Sequence, residues 1–397
     1  MAFAIESSPN IINPAFNDNV YIVSSSDHAE TNHRFVASVK NTSGDLLQRF
    51  EFVKPPGYDN GYINLGRYLS NFVKWDLDFD LDTFSLHANG TYIYNIEFGE
   101  RYDGFEDLNM ASLSNMVITN QGLDIYYFND DYNPATFANR LVGNNSLKLF
   151  KDSKAWLYFW QNSTAVNRIK IEATTPGGVE TTFLTNSLNS YFTSLGRFIY
   201  FPSGFNLNYI DVSLIAAAPS GGVIVPDDTT ELKVQLANDT LGAITILDTH
   251  TYEIVGNCYK NYEVYYLNQF GAFDTLILPK GYHIKKMMDK TKSKRMAGGM
   301  DSSTSYNLAN HAAQNVHRRV GYQTKWKLNT DWIEESESAN LFNLVSSPVV
   351  YLNDEGTIKR VTITSSEHKQ KSNRIDGLFN FTIELTESIE QERQWVS

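Results

Sequence analysis

Thr91-Tyr92-Ile93-Tyr94-Asn95-Ile96-Glu97-Phe98 sets the fold class, because Tyr92, Tyr94, Ile96 and Phe98 fall on every second position. Successive side chains of a strand point to opposite faces, so this is the period of a half-buried strand. Just before it, residues 72–81 alternate apolar with acidic positions and read the same way. Further upstream, 20–24, 34–40 and 46–53 are short strand-like runs, closed by Pro55-Pro56-Gly57 and Asp59-Asn60-Gly61 as turns. Downstream, 122–128, 155–160 and 166–174 continue the pattern, and Thr175-Pro176-Gly177-Gly178 marks a hairpin turn before 179–184.

A second β unit follows, with candidate strands at 198–201, 209–216, 231–236, 243–247, 262–267 and 275–278. Pro219-Ser220-Gly221-Gly222 and Asp227-Asp228 supply turns between them. The character then changes: residues 285–295 carry six basic side chains against one acid and lead into Ala297-Gly298-Gly299, which reads as an arm that is flexible or ordered by a partner. A helix is expected from about Asp331, with Glu334 completing a capping box, and should stop before Pro348. Residues 349–352 and 358–364, joined by Asn353-Asp354-Glu355-Gly356, read as a hairpin, and 378–385 as a closing strand. The expectation is a mostly β chain: β-sandwich-like domains over 1–150 and 151–280, a basic arm over 281–325, and a small α+β region over 326–397.

Composition bounds the function. Hydrophobic residues make up 42% and charged ones 20%, which excludes a disordered polyelectrolyte, and 23 Tyr with 24 Phe favour strands over helices. A net charge of −12 opposes general attraction to nucleic acid or anionic membranes, so any DNA contact has to be local. With Cys258 as the single cysteine, no intrachain disulfide or cysteine-based zinc site forms, and Cys258 itself reads as a buried structural residue suited to a reducing cytoplasm. The N-terminus lacks a basic leader segment and an early cysteine for lipid, and no stretch is apolar enough for a bilayer; neither export nor membrane insertion is expected.

Several constellations bear on chemistry. Asp76, Asp78, Asp80 and Asp82 would share one face of a strand at spacings of about 7 Å, open either to a cation or basic partner or to solvent. They lack the EF-hand pattern, since Leu81 and His87 stand where its glycine and glutamate belong. His28 with His33, and His311 with His317, have no metalloprotease spacing. Nucleophile elbow, Walker loop and kinase signatures are absent. Tyr92, Tyr94, Tyr126, Tyr127, Trp156, Tyr158 and Trp160 read as core and interface, or as a stacking platform for sugars. Lys285, Lys286, Lys290, Lys292, Lys294 and Arg295 form the basic arm: a solvated loop, or a segment that reaches DNA or an acidic surface such as the Asp76 to Asp82 run of a neighbouring copy. No catalytic residue, metal or cofactor is expected.

Segments spread along the chain resemble a known family. They are Ser8-Pro9, Asn60-Gly61-Tyr62-Ile63-Asn64-Leu65-Gly66-Arg67-Tyr68-Leu69, Ile96-Glu97-Phe98-Gly99-Glu100-Arg101-Tyr102, and Tyr265-Tyr266-Leu267-Asn268-Gln269-Phe270-Gly271-Ala272-Phe273-Asp274. Leu328-Asn329-Thr330-Asp331-Trp332, Glu335-Ser336, Leu344, Ser347-Pro348-Val349-Val350-Tyr351-Leu352 and the 378–384 strand close the pattern. Together they resemble virion structural proteins of the crAss-like and related short-tailed phages of Bacteroidota. The resemblance covers the N-terminal quarter and the C-terminal third, and Ala272 departs from it where a second glycine is the family's residue. It implies a homo-oligomeric ring of the neck or tail hub, a virion component made in the host cytoplasm. Its partners would be copies of itself, neighbouring neck, portal or tail proteins, fibres, and DNA in the channel. The alternative from another class is a glycan-binding adhesin or a receptor-binding protein associated with a tail fibre.

Overall fold

In the computed structural model, the described residues are 2–75, 77–87, 89–124, 128, 140–142, 147–161, 164–189, 197–217, 222–256, 262–294, 299–302, 305–307, 315–364 and 378–392. The chain is mostly β and divides into two compact units, Met1–Gly256 with Leu267–Thr275, and Asn257–Tyr266 with Leu276–Ser397.

The first unit holds two sandwich cores. In one, a five-stranded sheet runs in the order Ile12–Pro14, Phe105–Thr119, Thr91–Tyr102, Arg34–Lys40, Leu46–Phe52, and a three-stranded sheet runs Phe3–Ser7, Val20–Ser25, Gly61–Asn64. Tyr21 and Val23 of the small sheet join Phe35, Ala37, Val39, Tyr94, Ile96 and Phe98 of the large one in a common core. Each large apolar side chain fully buried there contributes about 1.5–3 kcal/mol. The alternation in 91–98 thus reports a strand with one face inside. The Tyr21 and Tyr94 hydroxyls meet 2.7 Å apart in this core, and burial pushes the Tyr21 phenol up to about 12. No strand is expected from sequence over 105–119, yet Phe105–Thr119 pairs along Thr91–Tyr102 across a tight turn at Asp103-Gly104, where Gly104 has φ +80°. Only its far end, Met116 to Thr119, is buried.

The second core lies between a four-stranded sheet (Leu141–Val142, Trp156–Gln161, Arg197–Pro202, Ser85–Leu86) and a six-stranded one (Leu147–Phe150, Ala243–Val255, Glu231–Thr240, Arg168–Thr175, Gly178–Thr185, Ile215–Ala217). Leu157, Phe159, Ile199 and Phe201 pack with Ile169, Ile171, Leu184, Leu232 and Val234. The hairpin read at 175–178 forms, with Thr175 opposite Gly178. Ser85–Leu86 and Leu147–Phe150 belong to sheets of this second core, so the cores do not divide at 150.

Inside this core sits His250, opposite Val234, with its ring edge-on to Tyr252 at 4.6 Å and no partner for Nε2 among the described residues. Burial holds its pKa down at about 4, against 6.5 for the free side chain. The unfolded chain therefore binds a proton here that the folded one does not, and stability is lost as pH falls from 6.5 towards 4. The expected loss is about 3 kcal/mol, since each tenfold difference in proton affinity corresponds to about 1.4 kcal/mol. Urea unfolding at pH 7, 5 and 4 should show it, and His250→Phe should flatten it; an unchanged slope in that variant would rule this origin out.

The main sheet of the second unit runs in the order Phe273–Leu278, Tyr262–Leu267, Val350–Asp354, Thr357–Ile363, Leu378–Glu387, Asn315–Glu334, Lys280–Lys294, with Gln391–Glu392 also paired to Asn315–Glu334; Leu267 and 273–275 group with the first unit, and Gly299–Ser302 pairs with Ser305–Asn307 in a separate two-stranded sheet. Helix Glu335–Ser346 contributes Leu341 and Leu344 to a core with Trp326, Leu328, Leu352, Ile383 and Leu385. The hairpin at 353–356 closes on Glu355 (φ +54°) and Gly356 (φ +85°), the left-handed pair that matches strand twist.

Three expectations change here. The helix begins at Glu335, not Asp331, because Trp332, Ile333 and Glu334 pair with Asn380, Phe379 and Leu378, and a ladder of backbone bonds outweighs one cap. The limit expected at 280 moves upstream, since Tyr262–Leu267 pairs with Val350–Asp354 of the C-terminal sheet. The stretch 281–325, expected as a basic arm that is flexible or ordered by a partner, lies largely in strands Lys280–Lys294 and Asn315–Glu334.

Candidate functional site

Lys280–Lys294 pairs antiparallel with Asn315–Glu334, making a ribbon about 50 Å long at roughly 3.3 Å per residue. Lys280–Lys294 is last in the sheet order, so its outer edge carries backbone groups with no strand partner among the described residues. A strand packed on one side alternates buried and exposed positions; here every residue from His283 to Lys290 is exposed. Lys285, Lys286, Lys290 and Lys294 are exposed on this strand, Lys292 lies on it, and Arg295 is outside the described residues. Lys285 faces Lys325 directly across the ladder, a like-charge pairing that disfavours the ribbon alone and favours an acidic neighbour. The Lys286 ammonium lies 5.8 Å from the centre of the Tyr322 ring. Ile284, Met287 and Met288 stand exposed between the lysines. Charge alone does not single out these three, although apolar residues inside a lysine-rich run are a signal visible in the sequence.

The acidic run is not a strand. Ser70–Phe72 is a 3-10 turn, and the described residues beyond it, up to Ser85–Leu86, form turns and irregular backbone, because Leu77 and Phe79 are only partly buried and no neighbouring strand pairs with them. Asp76 lies outside the described residues; Asp78, Asp80 and Asp82 are exposed. Asp78 accepts the backbone N–H of Asp80 at 3.0 Å, while Lys154 donates to Asp80 Oδ1 at 3.2 Å and to the Phe79 carbonyl at 3.0 Å. Among the described residues no group of three His, Cys, Asp or Glu is placed to hold a metal ion.

His28 and His33 part company. His28 bonds the Ser25 carbonyl at 2.7 Å and Asp59 at 3.1 Å, whereas His33 Nε2 meets Glu100 at 2.9 Å inside the first core, a partner that nothing local in the sequence points to. His311 and Cys258 lie outside the described residues, and His317 is on the ribbon opposite Lys292. Of the aromatic residues that could make a sugar platform, Tyr94, Trp156, Tyr158 and Trp160 are buried, Tyr92 is half-buried, and Tyr126 and Tyr127 lie outside the described residues. Trp156–Gln161 is buried along its whole length, which explains why Trp156 to Trp160 is continuously apolar or aromatic.

The stretch 265–274 forms a hairpin whose tip, 267–275, belongs to the first unit. Asn268 Oδ1 accepts the N–H groups of Phe270 and Ala272 at 2.9 Å each, and Asn268 Nδ2 donates to buried Asp274 at 3.0 Å. The tip is fixed by Gly122 N–H to the Gln269 carbonyl (2.9 Å), Asp124 N–H to Gln269 Oε1 (3.0 Å) and Gln121 Nε2 to the Phe270 carbonyl (3.0 Å). These polar contacts hold the tip in place within the first unit. Comparison with known proteins adds no identity: no protein-family model matches the chain, and no curated protein matches it. No helix among the described residues is long and apolar enough to cross a membrane.

Proposed function

We propose that this chain is a non-enzymatic structural protein of a bacteriophage virion, a ring-forming component of the neck or tail hub. It surrounds the path of the DNA and docks neighbouring tail proteins. The observation that carries the reading is the ribbon. Lys280–Lys294 is the edge strand of its sheet, exposed on both faces from His283 to Lys290 while the strand beside it is paired on both sides there, and an open edge invites pairing with another chain. Lysines, methionines and an isoleucine together on that strand suit a partner that is acidic and partly apolar. Sister copies meet that description, since the whole chain has a net charge of −12 despite its basic ribbon. Subunits joined head to tail through such surfaces close into rings when the rotation permits. The sequence resemblance supplies the virion context.

The test is the mass and shape of the purified full-length protein. Native mass spectrometry with negative-stain imaging should give closed rings of one copy number, and antibody labelling should place the protein at the neck or tail of intact particles. A chain that stays monomeric at high concentration, or is missing from particles, overturns the reading.

A further inference from the structure

The hairpin Glu231–Thr240 and Ala243–Val255 of the first unit ends in Leu241 and Gly242. Both have positive φ, +56° and +89°, the two-residue turn in which Asn, Asp or Gly is the relaxed choice. Leucine there is disfavoured by the left-handed backbone and, being fully exposed, gains no burial in return. The turn is nevertheless firmly built. The Asp239 backbone exchanges bonds with the Asn167 side chain at 2.8 Å in both directions, and Asp239 Oδ1 accepts Gly242 N–H at 2.9 Å.

The strand that follows is exposed at every residue from Ala243 to Leu247, and Ile244, Ile246 and Leu247 are among the chain's exposed large apolar side chains. Its far end pairs with Leu147–Phe150 only over Tyr252–Val255, so Ala243 to Leu247 presents an outer edge with no strand partner among the described residues. Proteins blunt such edges with charge, proline or cover; Ala243-Ile244-Thr245-Ile246-Leu247 contains neither a charge nor a proline. A register shift opposite Leu236 and Ala237 bulges this edge at Leu247, and the apolar stretch before it is suited to cover by another chain.

We infer that this tip is the surface that receives the basic ribbon of the next copy, so that a ring is built from one contact repeated head to tail. This rests on the ring reading and names the surfaces it uses. The two patches complement each other. The tip offers Leu241, Ile244 and Ile246 flanked by Asp239 and Asp248, with no lysine or arginine between those acids; the ribbon offers Ile284, Met287 and Met288 flanked by Lys285, Lys286 and Lys290. Beside the tip lies an open depression of about 560 Å³ lined in part by Asn189, Asn238 and Asp239, whose oxygens suit a lysine ammonium. Asp239 already meets Arg168 at 3.5 Å but stays partly exposed. Two open edges brought together also complete each other's ladders.

The test uses two full-length variants, one with Ile244→Lys and Ile246→Lys at the tip, the other with Lys286→Glu, Met288→Glu and Lys290→Glu on the ribbon. Each alone should be monomeric under conditions where the unaltered chain assembles. Mixed, they should form a one-to-one dimer and nothing larger, because one intact tip then meets one intact ribbon. A third variant, Leu241→Asn, relieves the turn and should raise the melting temperature slightly while raising the concentration needed for half-assembly about tenfold. Rings that persist in either multiple variant, or a mixture that yields no dimer, overturn this contact while leaving the ring reading intact. An unaltered chain that never assembles overturns both.

Discussion

Glu100→Ala should destabilise the first unit by up to about 3 kcal/mol, the upper range for leaving a buried polar group without its hydrogen-bond partner. The Glu100 side chain is 0% exposed and that of His33 4%, with 2.9 Å between Oε2 and Nε2. His33 lies edge-on to Phe35 at 4.7 Å and stacks on Tyr102 at 6.1 Å, so no water replaces the lost acceptor without opening that packing. Glu100 Oε1 and His33 Nδ1 have no partner among the described residues, so the pair depends on its single bond. Exchanging both residues for apolar ones, Glu100→Leu with His33→Phe, should cost much less than the sum of the single changes. Denaturant unfolding of the four proteins gives the cycle. A single-variant loss below about 1 kcal/mol would show that the pair is not holding the sheet.

Gly271→Val should cost about 3–5 kcal/mol and release the 267–275 hairpin tip to proteolysis. Gly271 has φ +80°, and a Cβ there would stand 2.3 Å from the backbone oxygen of Asn120. Backbone atoms do not step aside as a flexible side chain does, so the tip itself has to withdraw. Withdrawal breaks the bonds that Gln121, Gly122 and Asp124 make to Gln269 and Phe270, each worth about 1 kcal/mol. Ala272→Gly is the contrasting variant. The resemblance sets a glycine at 272, yet Ala272 is buried, has no positive φ and keeps its N–H bond to Asn268, so glycine there should lose only about 0.5–1 kcal/mol. Equal losses in the two variants would mean that the left-handed backbone is not what position 271 supplies.

Position 271 also marks where legibility ends. Asn268-Gln269-Phe270-Gly271 is visible as a turn between strands, but the partner that the loop meets is not, because Gln121, Gly122 and Asp124 are remote in sequence. The same holds for His33, which local spacing puts beside Glu30 and the fold puts against Glu100. Of the interaction residues expected from sequence, the exposed lysines at 285, 286, 290 and 294 lie together on one strand. Asp78, Asp80 and Asp82 do not share a strand face at all. Leu241, Ile244 and Ile246 carry no signal of their own in the sequence, since an apolar residue in or near a turn looks ordinary until its exposure and φ are known.

The order of residues is enough to locate strands with one face inside, as at 91–98 and 231–236, because alternation of side chains across a pleated backbone is a local property. It is also enough for the tight turns at Thr175 to Gly178 and Asn353 to Gly356, where residue type selects the backbone angles. That Phe105–Thr119 and Lys280–Lys294 are strands, and that 72–81 is not, follows from packing in three dimensions. A strand exposed on both faces carries no hydrophobic period, and its geometry comes from hydrogen bonds to a neighbouring strand; an alternating run with no such neighbour has nothing to hold it extended.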